Sequence, residues 1–511
     1  MTTTLNFKDN IDQFTWRFAA PAISAMAAGG CVAWDNRNSN RNTPYNYILN
    51  GAALFSAYSP LTNEFIPLPS PALAGTFGAG AACVMHPTQG PRGTLAAGAT
   101  TTSVILTTAL PAAVAANQLA NRGDGEGFTI RIISPSSGKT EARQIIANTA
   151  GTTPTITLDS ALTFTPAVGD LYEIRSGRVY LLSAGTLAAG IFRAYDIATN
   201  SYITLAQTNL PATIGGDSSM VALSEGHCPS DATDSNVGYF GNITSAAGNT
   251  STTINASSGA LPATLFANEY RNFQIRIIND PTNLTSVGQR RRITSHTSGA
   301  TATFTVPTWT VTPSAAATFV IENDDDKILL FTNQTAVYNY NITANTWDTS
   351  TWAAAAAAGG AGIVAAHSHG ILRDPSGNAR HSFIYRIRGG NTNIIDVLDI
   401  AGGATGVWSS DIAYGNRGTL FNTGTCGAND PITNGGKYLN LNINGTQRHA
   451  RFDMRNRVLE PLAFLHFGGA GATHVGGRLG MCYFFDGATK LGILSNNLCT
   501  STSQVQLILQ K

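Results

Sequence analysis

The sequence predicts an all-β protein, and three observations carry that reading. Gly, Thr and aromatic residues are abundant among its 511 residues, while sustained runs with helical periodicity are few. One hairpin pattern recurs along the chain. Two long intervals between the hairpins also repeat each other. With 43% apolar residues, a chain of this length should build two or more domains with sizeable cores.

The hairpin is clearest in residues 190–211, GIFRAYDIATNSYITLAQTNLP. Phe192 and Tyr195 close one apolar run, Asp196 to Asn200 form a polar turn, and Tyr202, Ile203 and Leu205 open a second run that Pro211 stops. An Asp bonds backbone N–H groups two residues on, and an Asn tolerates the left-handed conformation that returns the chain. YSPLTNEF at 58–65 and YNITANTW at 340–347 repeat the arrangement, with aromatics seven apart and Asn two before the second. Looser copies at 398–408, 452–459 and 485–491 bring the number to six.

Clusters of small residues follow several hairpins: GAGAA at 78–82, GGAG at 359–362 and GGAGA at 468–472. Glycine there lets one backbone approach another, as sheets packed around an axis require. In these features residues 47–491 resemble Kelch-like β-propellers, whose blades carry a di-glycine strand and then a Tyr-turn-Trp hairpin. The apolar runs around Phe14 to Phe18 and Gly30 to Trp34, and the alternating VQLILQK at the C-terminus, are expected to supply strands. A terminal strand that completes the blade begun by the other terminus would close the ring and protect its sheet edges.

The two long intervals read as an internal duplication. Phe128-Thr-Ile-Arg-Ile-Ile133 matches Phe273-Gln-Ile-Arg-Ile-Ile278, and Phe164-Thr-Pro166 with Tyr172-Glu-Ile174 matches Val311-Thr-Pro313 with Phe319-Val-Ile321. Offsets of 145 to 148 residues align Arg131 with Arg276, Arg143 with Arg291 and Gly151 with Gly299. Each copy alternates apolar and polar residues over short strands, which fits a small β-sandwich or barrel. The closing turn differs, with Val168-Gly169-Asp170-Leu171 in the first and Ala315-Ala316-Ala317-Thr318 in the second. The expected division is therefore propeller (1–88), inserted β-domain 1 (89–178), propeller (179–238), inserted β-domain 2 (239–324) and propeller (325–511). At roughly 50 residues per Kelch-type repeat, the propeller portion holds six or seven blades. Insertions between blades should lie on an exposed loop face and project from the disc.

The module's Phe-x-Ile-Arg-Ile strand, GQ-x-R-x-I-like turn, Thr-rich strand and Pro-Ala-x-G-D-x-Tyr-Glu-Ile close resemble modules of tailed-bacteriophage virion proteins. A propeller with inserted β-modules also resembles short-tailed-phage nozzle proteins in architecture. The resemblance implies a structural virion protein, a homo-oligomeric tail ring of six copies (a hexamer), contacting other phage tail proteins. Genomic DNA would pass through its lumen. A host-surface or glycan-binding virion protein, with aromatics on propeller loops, is the alternative, and a Kelch-type interaction module is a third.

Composition narrows the chemistry. Charged residues make up 12% with a net charge of +1, so no strong field recruits nucleic acid or anionic membrane. The start MTTTLNFKDNIDQF lacks a basic segment followed by an apolar core, and no long apolar span follows, so synthesis in the host cytoplasm without membrane anchoring is expected. The scattered cysteines, without C-x-x-C pairs, read as reduced thiols. N-x-S/T sequons such as those at Asn242 and Asn341 carry no weight without secretion.

No catalytic, cofactor or metal site is assigned. His367 and His369 would share a strand face, but two ligands do not make a zinc site. His86, His227 and His474 occupy comparable places after other small-residue strands, which favours a repeated structural position. GDGEG (123–127) and DDDK (324–327) lack the full spacing of a calcium loop, so Asp124 and Glu126 read as turn caps. Glu141, Arg143 and Arg290 to Arg292 read as strand decoration. There is no G-x-S-x-G elbow, phosphate-cradling loop or H-E-x-x-H, so an enzyme is not expected. Six lysines against twenty-five arginines favour fixed bidentate contacts over a diffuse basic surface.

Overall fold

Among its described residues the computed structural model is all-β apart from one short 3₁₀ turn at Leu284–Ser286. It describes residues 16–18, 23, 30–34, 45–50, 54–59, 64–71 and 73. It then runs with breaks from 80 to 461 and adds three strands after 480. The longer stretches outside the description are 1–15, 24–29, 35–44, 74–79, 121–127, 224–236, 413–419, 430–437, 462–480 and 497–504.

Six four-stranded antiparallel sheets form the blades of a β-propeller. Their inner strands are Cys31–Trp34, Ala82–Pro87, Ser219–Ala222, Val364–Ser368, Cys426–Asn429 and Met481–Phe485, numbered here as blades 1 to 6. These strands neighbour one another in ring order, the last lying against the first. Among the described residues the count is six and not seven. Trp16–Phe18 is the outermost strand of blade 6, paired to Val505–Gln510 with Trp16 opposite Ile508, so the two ends of the chain close the ring together as expected.

The aromatic hairpins are the outer strand pairs of blades. Tyr58 faces Phe65, Tyr195 faces Tyr202 and Tyr340 faces Trp347 directly across the ladder, with ring centroids 4.8, 5.4 and 5.0 Å apart. Spacing of seven puts both rings on one face, and such pairs contribute about 0.5–1.5 kcal/mol beyond their burial. Asn200 and Asn345 sit at φ 50° and 52°, and each accepts the hydroxyl of the first Tyr through Oδ1, at 2.8 and 2.7 Å. Leu398–Trp408 and Phe452–Leu459 are also outer pairs. Phe485–Leu491 is not: it joins the inner and second strands of blade 6. The outer pair of that blade is made by the two ends of the chain, so no turn connects it and no hairpin motif can mark it.

Glycine works where the small-residue cluster enters blade 4. A Cβ on Gly360 would lie 2.7 Å from the Cα of Gly390, and one on Gly362, at φ 82°, would overlap the carbonyl of Asn422. The cluster at 468–472 lies outside the described residues.

The two inserted modules interrupt blades 2 and 3 internally, between inner and second strands, rather than falling between blades. The chain leaves blade 2 after Pro87 and returns at Gly177, and leaves blade 3 after Ala222 and returns at Lys327. In blades 2 and 3 only the outer hairpins announce themselves in the sequence, so the interruption could be placed between them but not within a blade. Both modules have one strand order. In the first it is Arg92–Thr94, Leu171–Arg175, Thr129–Ser134, Lys139–Asn148, Thr155–Leu158, Ser103–Ile105. In the second it is Val237–Asn242, Thr318–Glu322, Gln274–Asn279, then a strand split into Arg290–Arg292 and Ser295–His296, then Thr303–Thr305 and Thr253–Asn255. Bridges between Leu95 and Leu106, and between Ile243 and Ala256, join the two ends of each order, so both modules are closed barrels. Ile130, Ile132, Tyr172 and Ile174 fill barrel 1, and Ile275, Ile277, Phe319 and Ile321 fill barrel 2.

Asn345 also accepts the backbone N–H of Ala206 in the neighbouring blade at 2.9 Å. Asn345→Ala should therefore lower unfolding free energy by about 1–3 kcal/mol through lost bonds and left-handed strain, with Asn345→Gly recovering the strain part, as measured by urea titration.

Candidate functional site: the junction of the two barrels

Strand alternation sends Ile130 and Ile132 into barrel 1, so Arg131 and Ile133 point outward. The same alternation turns Arg276 and Ile278 out of barrel 2. These outward faces meet. Ile133, Leu171, Ile278 and Val320 form one apolar patch shared by both barrels, with Val287 packed against it. Beside it lie Arg131, Glu173, Arg175, Arg276 and Glu322, each no more than 3% exposed.

Within barrel 1, Arg175 donates to Glu173 through Nε at 3.1 Å and Nη2 at 2.9 Å. Within barrel 2, Arg276 meets Glu322 through Nε at 2.7 Å and Nη2 at 3.1 Å. Two ion pairs cross the junction: Arg131 Nη1 to Glu322 Oε2 at 3.4 Å and Arg276 Nη1 to Glu173 Oε2 at 3.7 Å. Each barrel thus presents an Arg to the other's Glu. The duplication aligns the arginines but not the glutamates. Tyr172 corresponds to Phe319, so the counterpart of Glu173 is Val320, and Glu322 stands where barrel 1 has Arg175. Carboxylates displaced by two residues stay on the same strand face, which preserves the ionic junction despite the divergence.

Barrel 2 is also fastened to the propeller. Asn272 Nδ2 donates to the carbonyls of Ile400 and Gly403 in the outer turn of blade 4, at 2.6 and 2.8 Å. Arg292 donates to Asn272 Oδ1 at 3.0 Å and to the Ala404 carbonyl at 3.2 Å, and its guanidinium lies 5.1 Å from the Trp352 ring centroid.

The other singled-out residues are absorbed by the fold. Arg143 donates to Ala161 O and Glu141, and Thr163 donates its N–H and hydroxyl to Glu141. At the equivalent place Arg291 donates to Thr308 O, Gln289 Oε1 accepts the Thr310 N–H at 2.9 Å, and the Arg291 guanidinium lies over Trp309. Arg291 and Arg292 thus hold loops of their own chain. His367 is buried with Nε2 2.7 Å from Ser382 Oγ, and His86 is buried with Nδ1 2.7 Å from Pro87 O. His227, His369, His474 and the GDGEG loop lie outside the described residues. Of DDDK, Asp326 accepts the N–H and hydroxyl of Thr343. Among the described residues no group of three or more His, Cys, Asp or Glu is placed to hold a metal ion, and Cys31, Cys83 and Cys426 are free thiols. No helix among them is long and apolar enough to cross a membrane.

The changed closing turn is compensated. In barrel 1 Asp170 accepts the Ala167 N–H and bonds Ser134, and burial raises its carboxyl above the usual range. Barrel 2 has Ala317 there. Its carboxylate comes from the other strand: Asp280 accepts Ser286 Oγ, the Ser314 N–H and hydroxyl, and the N–H groups of Thr282 and Asn283. Burial pushes Asp280 up, but the Ser286 and Ser314 bonds outweigh it and hold the group below its ordinary value.

Sequence reading aligned Arg131 with Arg276 but gave them no task. The available signal was an arginine inside an isoleucine run in both copies, which only a buried partner makes tolerable.

No protein-family model matches the chain, and no curated protein matches it. Among solved structures it is similar to the crystal structure of the Myceliophteria thermophila Cps50 (Swd1) β-propeller domain, at 8% identity and a TM-score of 0.33, covering 96% of this chain and 98% of that one. The blade count rests on the strand pairing described above.

Glu322→Gln should cost about 3–5 kcal/mol by stranding buried guanidiniums, whereas Glu141→Gln, which copies Gln289, should cost less than about 1.5 kcal/mol; urea unfolding of the two variants compares them. The Asp280 carboxyl titrates near 3.9 when unfolded and lower when folded, so its stabilisation is present above about pH 4 and lost as pH falls through the folded value. Asp280→Asn should flatten that acid limb in unfolding midpoints measured against pH.

Proposed function

We propose that this chain is a non-catalytic structural component of a tailed-phage virion, a ring-forming nozzle or hub protein of the tail. The observation that supports this best is the barrel junction. Two copies of a module that resembles phage virion modules are tied by buried ion pairs, and one is fastened to the next blade, which suits a part that transmits load. The turns at the barrel ends also carry the exposed apolar side chains Val168 and Leu284, 70% and 74% accessible, available to a neighbouring subunit. A head-to-tail contact repeated around an axis closes a ring, and a stable one should bury at least ~1,000 Å² per interface.

The propeller itself is equally compatible with a protein-interaction module. A glycan-binding reading has less support, because Phe266 is the one aromatic among the exposed large apolar side chains of the described residues. The deciding experiment is to locate the chain in purified particles of its source by mass spectrometry and cryo-electron microscopy. Multiple copies in a ring around the tail axis are the expected result. Absence from particles, or isolated single subunits, would overturn the virion ring and leave the interaction module.

A further inference from the structure

The clasp that holds residues 266–273 to barrel 2 contains a histidine used as a hydrogen-bond acceptor. His296 Nδ1 lies 2.7 Å from the Thr297 carbonyl, which accepts and so requires the proton on Nδ1. Nε2 is then bare and accepts the backbone N–H of Tyr270 at 2.9 Å. Asn268, at φ 62°, completes the clasp: its N–H donates to His296 O at 3.1 Å and its Oδ1 accepts the His296 N–H at 3.0 Å. Two residues beyond Tyr270 comes Asn272, the side chain that fastens barrel 2 to blade 4.

Barrel 1 builds the same clasp without a titratable group. Asn148 replaces His296 and accepts the Leu119 N–H through Oδ1 at 2.9 Å, while Asn117, at φ 60°, exchanges bonds with Asn148 as Asn268 does with His296. An amide accepts at any physiological pH. An imidazole accepts only while neutral.

We propose that His296 is an acid-operated latch: a proton taken by its Nε2 lone pair sets that N–H against the Tyr270 N–H, opens residues 266–273 and releases Asn272 from the blade 4 turn. The charged groups facing the ring are Glu269, which favours the cation, and Arg271, which opposes it; Tyr270 and Phe304 supply ring neighbours at 6.2 and 5.1 Å. Burial dominates and lowers the imidazole below its ordinary value. The sign follows: the unfolded or opened histidine binds a proton first, so closed-state stability is full above about pH 6.5 and declines as pH falls below it.

The test is hydrogen exchange on the full chain at about pH 7.5 and about pH 5, corrected for intrinsic rates. Wild-type protein should lose at least about tenfold protection at the Tyr270 amide and the Asn272 side-chain amide on acidification, while the clasp around Asn148 keeps its own. His296→Asn, which copies barrel 1, should keep protection at both values. Equal acid opening in that variant, or none in the wild type, would overturn the latch. Should the variant fail to fold, nitrogen chemical shifts of the wild-type imidazole decide: Nε2 must take up its proton over the same pH range in which Tyr270 opens, and opening with His296 still neutral refutes the proposal.

Discussion

The way the two barrels sit against each other depends on taking five charged side chains out of water together. Removing one carboxylate or guanidinium from water costs several kcal/mol even after relaxation, and close ion pairs offset that only in good geometry. At the barrel junction the offset needs both barrels, because Arg131 reaches Glu322 and Arg276 reaches Glu173 across it. The apolar patch of Ile133, Leu171, Ile278 and Val320 would bring the barrels together in many orientations. The charges single out one.

Duplication followed by divergence has left compensated exchanges around this constraint. The carboxylate that buttresses the closing turn moved from Asp170 in barrel 1 to Asp280 on the opposite strand of barrel 2, with the serine partner moving the other way, from Ser134 to Ser314. Glu141 of barrel 1 corresponds to Gln289 of barrel 2, while the arginine two residues on is common to both copies, since the loop it holds offers carbonyls that need a donor in either copy. Each exchange keeps a buried donor matched to an acceptor, which is what buried polar groups require.

Much of the fold was legible because its signals are local. An aromatic pair seven residues apart with Asn before the second fixes a hairpin register by itself, and Tyr340 lies opposite Trp347 accordingly. The internal repeat was legible from Phe-x-Ile-Arg-Ile alone. What stayed hidden was non-local: that the barrels open inside blades, that Phe485–Leu491 is an inner pair, and that Arg131 answers to a glutamate 191 residues away. The glutamates defeated alignment because a strand conserves a face and not a position, so Glu322 could take up the task two residues from where Glu173 predicts it. Arg291 and Arg292 read as strand decoration, yet they are consumed by carbonyls and tryptophans that no spacing rule pairs with them.

The seam where Trp16–Phe18 joins Val505–Gln510 sets the order in which the molecule is built. As a ribosome delivers the chain, blade 2 has its inner strand early but waits for barrel 1 to be made before its second strand arrives, and blade 3 waits likewise for barrel 2. The barrels are contiguous segments with short closure distances, so they form while the disc is still open. Blade 6 is completed after the others, because its edge strand Trp16–Phe18 precedes every other blade strand and its partner Val505–Gln510 follows them all. Trp16–Phe18 therefore waits for Val505–Gln510 while every intervening blade is made, and a pull on the finished molecule through Trp16–Phe18 meets three residues of ladder before it meets the ring.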